Sequence, residues 1–60
     1  KIIMRLAEMK VGSTYKIDNF ICKCLEISNY FKCEILEGSE KGRHLLGESD
    51  FFNLEIEEIK

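Results

Sequence analysis

Two runs of sequence, Phe20–Ile27 and Tyr30–Glu37, stand only two residues apart, and this arrangement constrains the fold more than any other feature of the chain. Both runs are rich in Ile, Phe, Cys and Tyr, residue types that suit a pleated, half-buried surface. The Ser28-Asn29-Tyr30 stretch joining them is polar at its centre, and Asn tolerates the positive φ that tight turns require. The segment reads as a β-hairpin.

Its register has two solutions. If Ser28-Asn29 is a two-residue loop, Cys24 faces Cys33, Cys22 faces Ile35 and Lys23 faces Glu34. Phe20, Cys22, Cys24, Phe31, Cys33 and Ile35 then share one face, with Glu26 as the misfit on it. If Ser28-Asn29-Tyr30 is a three-residue loop, Ile27 faces Phe31, Glu26 faces Lys32, and Leu25 joins the face of Cys33. Spacing alone leaves both open.

The remainder of the chain supplies further short strands. The glycines at 12, 38, 42 and 47 punctuate the apolar stretches, and proline is absent. Strands are expected at Thr14–Ile17 and Arg43–Glu48, the latter with Leu45 or Leu46 inward, and Glu37–Gly42 forms a charged turn before the second. Ser49–Asn53 reads as one helical or 3₁₀ turn, with Ser49 as N-cap and Asp50 in its first turn. Leu54-Glu55-Ile56-Glu57 alternates strictly and closes the chain as a strand with its glutamates outward. Residues 1–10, KIIMRLAEMK, have high helix propensity, with Ile2, Ile3, Leu6 and Met9 near helical spacing. The favoured reading is nonetheless a strand at Ile2–Arg5 followed by a turn in which Leu6 and Met9 cap the core, with an N-terminal helix as the alternative.

Sixty residues make one small domain, spanning 1–60, that buries only about 60% of its unfolded surface. Curved strands closing on themselves let so short a chain bury a core. The expected fold is all-β: an SH3-like small barrel of about five short strands, with one 3₁₀ turn before the last.

Local stretches resemble known families of this kind. Lys10-Val11-Gly12-Ser13-Thr14-Tyr15-Lys16-Ile17, followed by Cys22-Lys23-Cys24-Leu25-Glu26-Ile27, resembles the opening of the elongation factor P N-terminal domain, a KOW-type barrel. In that family the first long hairpin carries a glycine-rich loop with a modified lysine. The loop here is Ser28-Asn29-Tyr30, without lysine, so the resemblance implies the fold and not the translation-factor activity. Leu6-Ala7-Glu8-Met9-Lys10-Val11-Gly12 is similar to the opening of small bacterial SH3-like proteins, including the ferrous-iron transport accessory family. Peptide-binding SH3 domains use a Trp and a Pro in an aromatic groove. This chain has neither, and lacks their Ala-Leu-Tyr signature, so PxxP binding is not expected.

The chemical signals are sparse. Cys22, Cys24, Cys33 and His44 supply four ligand types that suit tetrahedral zinc. Cys-x-Cys within one strand, however, sets its thiols about 7 Å apart rather than converging them as a turn would. A Cys24–Cys33 disulfide would leave one thiol over, and nothing signals an oxidising compartment. Free cysteine packs as a small hydrophobe, and packing is the reading adopted, with no metal and no cofactor. His44 has no carboxylate partner placed by spacing, and Gly38–Gly42 puts an acid where a phosphate would sit. No enzyme is expected. Tyr15, Tyr30, Phe51 and Phe52 would form a methyl-lysine cage only if they emerged at one rim.

Charge points to a protein partner. The net charge is −2, with 33% charged residues and no apolar run near the roughly 20 residues that span a bilayer. These exclude a membrane protein, and a cytoplasmic location is expected. Lys1, Arg5, Lys10 and Lys16 outnumber Glu8 in residues 1–16. Glu48, Asp50, Glu55, Glu57 and Glu58 outnumber Lys60 in residues 48–60. The acidic end suits a partner with a basic segment, which makes Glu55, Glu57, Asp50, Tyr15 and Tyr30 the candidate protein-binding residues. Arg5, Lys10 and Lys16 are the candidate patch for the competing nucleic-acid or ribosome-associated reading. A freestanding bacterial or phage protein and a structural domain of a larger protein both fit this sequence, which starts at Lys1 rather than Met.

Overall fold

The computed structural model describes residues 2–60; Lys1, counted above among the basic residues, lies outside them. The described chain is all-β. Its strands are β1 (Ile2–Arg5), β2 (Thr14–Ile17), β3 (Phe20–Ile27), β4 (Tyr30–Ile35), β5 (His44–Glu48) and β6 (Glu55–Ile59). They form one antiparallel sheet in the order β1-β6-β2-β3-β4-β5, so β1 and β5 are its two edges. Six strands are present among the described residues rather than about five, one for each strand segment read from the sequence.

Two 3₁₀ turns complete the fold, Leu6–Glu8 after β1 and Ser49–Phe51 between β5 and β6. The first ends the alternative of an N-terminal α-helix. Its propensity is overridden because Leu6 and Met9 are worth more inside the core, where they are almost wholly buried. The Leu6 N–H donates to the Leu54 carbonyl at 2.8 Å and the Ala7 N–H to the Phe52 carbonyl at 3.1 Å, tying the two turns together. The second turn stands where Ser49 and Asp50 suggested it, but its N-cap is Glu48 and no side chain caps it. Ser49 is the first residue of the turn instead.

The hairpin joins both registers. Cys22 faces Ile35, Lys23 faces Glu34 and Cys24 faces Cys33, as a two-residue loop requires. Beyond a bulge between Cys24 and Glu26, Glu26 faces Lys32 and Ile27 faces Phe31, as a three-residue loop requires. Leu25 is the extra residue. The reason lies in the misfit: without the bulge, Glu26 would face Phe31 on the buried side, where an unpaired carboxylate is costly. One inserted residue turns Glu26 to the outer face opposite Lys32 and sends Ile27 inward.

The core occupies the inner face of the sheet. Tyr15, Cys22 and Ile35 form one row across it, and Cys24, Cys33 and Leu45 the next. Leu6, Met9, Ile17, Phe31 and Ile56 close over these rows, with Met4, Phe20, Ile27 and Phe52 packed at the margins. No polar or charged residue is buried among the described residues. Leu45, not Leu46, is the inward residue of β5; Leu46 is 62% exposed. Leu54 falls just before β6 and is exposed, contrary to the strict alternation that placed it inward.

Candidate interaction surface

A cleft of about 240 Å³ opens where the β2–β3 turn approaches β5 and the second 3₁₀ turn. Ile17, Phe20, Phe31 and Leu45 continue the core into it, while Leu46, Phe51 and Leu54 stand exposed around it. Phe51 meets Phe31 edge-on, with ring centroids 6.4 Å apart and planes at 79°, a geometry that aligns ring edge with ring face. Asp18 is the one charged residue of the lining. It sits in the tight turn between Ile17 and Phe20 at φ 56°, a left-handed conformation that Asp tolerates better than most residues.

Asp18 also lines a second hollow, of about 230 Å³, with Ile3, Lys16, Glu55, Ile56 and Glu57. The apolar cleft and the acidic C-terminal strand are therefore neighbours that share one side chain.

The candidate residues named from sequence are distributed unequally around these hollows. Glu55 is exposed on β6, and Glu57 is half-buried on the same outer face. Asp50 is exposed beside Phe51 in the second 3₁₀ turn. Tyr30, 40% exposed, stands at the hairpin tip over an open hollow shared with Asn29, Leu46, Gly47 and Glu48. A hydrogen bond to the Glu26 carboxylate raises its phenol above the ordinary pKa, with burial and the Glu26 charge acting in the same direction.

Tyr15 does not belong to the surface. It is 1% exposed, and its hydroxyl accepts a hydrogen bond from the Lys10 N–H at 2.8 Å. The period-2 pattern of β2 sets Tyr15 on the face of the buried Ile17, and a tyrosine with an internal donor at its tip packs inward like a phenylalanine. The four-aromatic cage loses a wall with it.

The acidic and basic patches are not separate surfaces. Arg5 lies opposite Glu55 on the β1–β6 ladder, and Lys16 lies opposite Glu57 on the β2–β6 ladder. Both candidate patches thus share the outer face, where each charge has an opposite one as its cross-strand neighbour. Lys10 is exposed outside the strands. The pairing of chain ends that produces this is invisible to a local reading.

The three thiols are free and fully buried in the core. The Cys24 N–H donates to the Ser13 carbonyl at 3.0 Å and its own carbonyl accepts from Gly12, both on the β2 side. Cys24 therefore faces Cys33 as a non-hydrogen-bonded pair, the closer of the two antiparallel types. The Cys33 thiol points at the Met9 sulfur, 4.0 Å away. Burial, then the neighbouring Cys24 and Cys22 charges and a Cys24 hydrogen bond, push its pKa up to about 12. Burial also raises Cys22 and Cys24. These are protonated, inert side chains at neutral pH.

His44 is on the other face, opposite Glu34, while its neighbour Leu45 faces Cys33. It does have a carboxylate neighbour, which spacing missed because the two are joined across the sheet. The thiol set and the imidazole point to opposite sides of the sheet, and no cluster of three potential ligands exists among the described residues.

Sequence reasoning missed Asp18, Leu46 and Leu54 as surface residues. One signal was present: Phe51 and Phe52 are adjacent in a single 3₁₀ turn, so only one of them can face inward, and the other must mark exposed apolar surface. Among the described residues no helix is long and apolar enough to cross a membrane. Comparisons with protein-family models, curated proteins and solved structures find no match.

Proposed function

We propose that the chain is a non-enzymatic interaction module of the SH3-like barrel kind, which captures a protein segment bearing an apolar anchor beside a basic residue. The observation that carries this reading is the position of Asp18 between the two hollows. An apolar side chain seated among Phe20, Phe31, Phe51 and Leu54 would leave the next residues of its segment over Asp18, Glu55 and Glu57. The partner's basic residue belongs there. Exposed apolar side chains gathered around one opening are characteristic of binding surfaces rather than of ordinary protein exterior.

The barrel reading is supported by the strand order, by the 3₁₀ turn before the last strand, and by extents of 26 × 24 × 18 Å, which suit a strongly curled sheet. The nucleic-acid alternative is disfavoured by the glutamates opposite Arg5 and Lys16, because a phosphate backbone approaching those cations meets carboxylates as well.

A displayed random-peptide library selected on the protein tests the reading. The expected consensus is an aliphatic or aromatic residue close to Lys or Arg. Phe51→Ala should abolish selection, and Asp18→Asn should remove the basic preference while keeping the apolar one. A library without consensus, together with salt-sensitive binding of a mixed-sequence single-stranded RNA, would replace this reading with the nucleic-acid one.

A further inference from the structure

The two edges of the sheet are treated differently. On β1, the Arg5 N–H is occupied by the Glu8 carboxylate at 2.9 Å, so that edge is partly capped by the chain itself. On the β5 side, the Ile35 N–H donates to Arg43 O at 2.9 Å and the Gly42 N–H to Ile35 O at 2.8 Å. By antiparallel alternation, the Arg43 carbonyl and the backbone groups of Leu45 and Gly47 aim at β4, while the Arg43 N–H donates to the Glu40 carbonyl. His44, Leu46 and Glu48 aim theirs away from the sheet. This edge has no Lys, no Pro and no bulge within His44–Glu48, devices that commonly block edge pairing. Its central side chain, Leu46, is 62% exposed.

The sequence of β5, His44-Leu45-Leu46-Gly47-Glu48, is complementary to its own reverse. We propose that β5 pairs antiparallel with β5 of a second copy of this chain, about a two-fold axis through Leu46. In that register Leu46 faces the second copy's Leu46, and His44 faces the second copy's Glu48, twice by symmetry. Leu46 and His44 turn both N–H and C=O outward and Glu48 its N–H, its carbonyl being engaged as the N-cap of the second 3₁₀ turn. The Leu46 pair therefore exchanges two backbone hydrogen bonds, and each Glu48 N–H donates to the second copy's His44 carbonyl. On the outer face an imidazole meets a carboxylate at each end and two exposed leucines meet at the centre. On the inner face each Leu45 lies opposite Gly47, where the Phe31 and Phe51 rings already pack, so it meets an apolar surface there. Sliding the register by two residues puts His44 against Leu46 and loses both the polar and the apolar match. The β1 sequence, Ile2–Arg5, has no such symmetry. Leu46 also stands at the rim of the apolar cleft, whereas His44 lines neither hollow around Asp18, so His44→Glu is the variant that separates this pairing from the peptide-capture reading.

Sedimentation equilibrium over a dilution series tests it, with circular dichroism confirming that each variant stays folded. The wild-type chain should pass reversibly from monomer to dimer. His44→Glu sets carboxylate against carboxylate at both ends and should weaken the dimer at least about tenfold, equivalent to roughly 1.4 kcal/mol. Adding Glu48→Lys to that variant recreates an opposite-charge pair and should restore dimerisation. Leu46→Lys should leave a folded monomer. A wild-type chain that remains monomeric at every concentration overturns the proposal. So does a dimer indifferent to His44→Glu and Leu46→Lys, which would locate the interface elsewhere.

Discussion

Gly47 and Phe31 face each other across β5 and β4, and the phenyl ring fills the space that a side chain at Gly47 would need. A Cβ placed on Gly47 would lie 2.3 Å from Phe31 Cε1 and 3.0 Å from Phe51 Cδ2. The glycine is therefore required for close approach rather than for backbone freedom. Gly47→Ala should cost about 1–3 kcal/mol, the usual penalty for forcing extra atoms into a packed site. Phe31→Leu combined with Gly47→Ala should cost less than the sum of the two changes, because the smaller side chain makes room. Urea denaturation of the four proteins in that cycle measures the coupling. Strict additivity would mean that the ring is not seated beneath Gly47.

The bulge at Leu25 yields a second expectation. Deleting Leu25 forces one register along the whole hairpin and returns Glu26 to the buried face against Phe31. The loss should be on the order of 3 kcal/mol or more, the scale of an unpaired buried charge, and enough to unfold a domain of this size. Combining the deletion with Glu26→Leu should recover a cooperative melt. If the deletion alone melts like the wild type, the bulge does not serve to expel Glu26.

Alkaline stability should report on the thiol cluster. Cys33 keeps its proton up to about pH 12 in the folded chain, against an ordinary value of 9.0. Below 9.0 both folded and unfolded states are protonated and the group contributes no pH dependence. Above it the unfolded thiol ionises first, so the unfolded state binds fewer protons and folding stability falls between about pH 9 and about pH 12. Cys22 and Cys24 are shifted upward as well and act with the same sign. Urea midpoints followed over this range should decline less steeply in Cys33→Ala, which has no proton to lose and adds no atoms to the packed site. Parallel slopes for the two proteins would show that the thiol is not shielded.

The cross-strand charges set the outcome of reversing the acidic strand. Glu55→Lys places a lysine opposite Arg5, and Glu57→Lys places one opposite Lys16. Like charges directly opposite are unfavourable, by roughly 0.2–1 kcal/mol per pair. The double reversal should therefore lower the melting temperature slightly. Restoring opposition with Arg5→Glu in the Glu55→Lys background should recover part of the loss. Added salt should shrink the difference, since these residues lie on the outer face. An identical melting temperature for the double reversal would show that the juxtaposed charges are energetically silent.

Local physics determined a large share of this molecule from sequence alone. The hairpin, the 3₁₀ turn after Glu48 and the strand that follows it rest on residue periodicity and turn chemistry within a few positions, whereas the β1 strand prevails over a local helix propensity by pairing with β6. Alternation put the three cysteines on one face in the two-residue register, the one that the hairpin keeps from Cys22 to Cys24. The tertiary structure decided what depends on segments far apart in the chain. The bulge at Leu25 arises because Cys33 and Phe31 must both be served from one strand while Glu26 is kept outside. Opposition of Arg5 to Glu55 and of Lys16 to Glu57 exists only because β6 inserts between β1 and β2, merging two patches that looked independent along the sequence. The hollow around Asp18 is created by a turn, an edge strand and a 3₁₀ segment meeting at one end of the sheet. No periodicity records that meeting, because it is the curvature of the sheet, rather than any local propensity, that brings those three elements together.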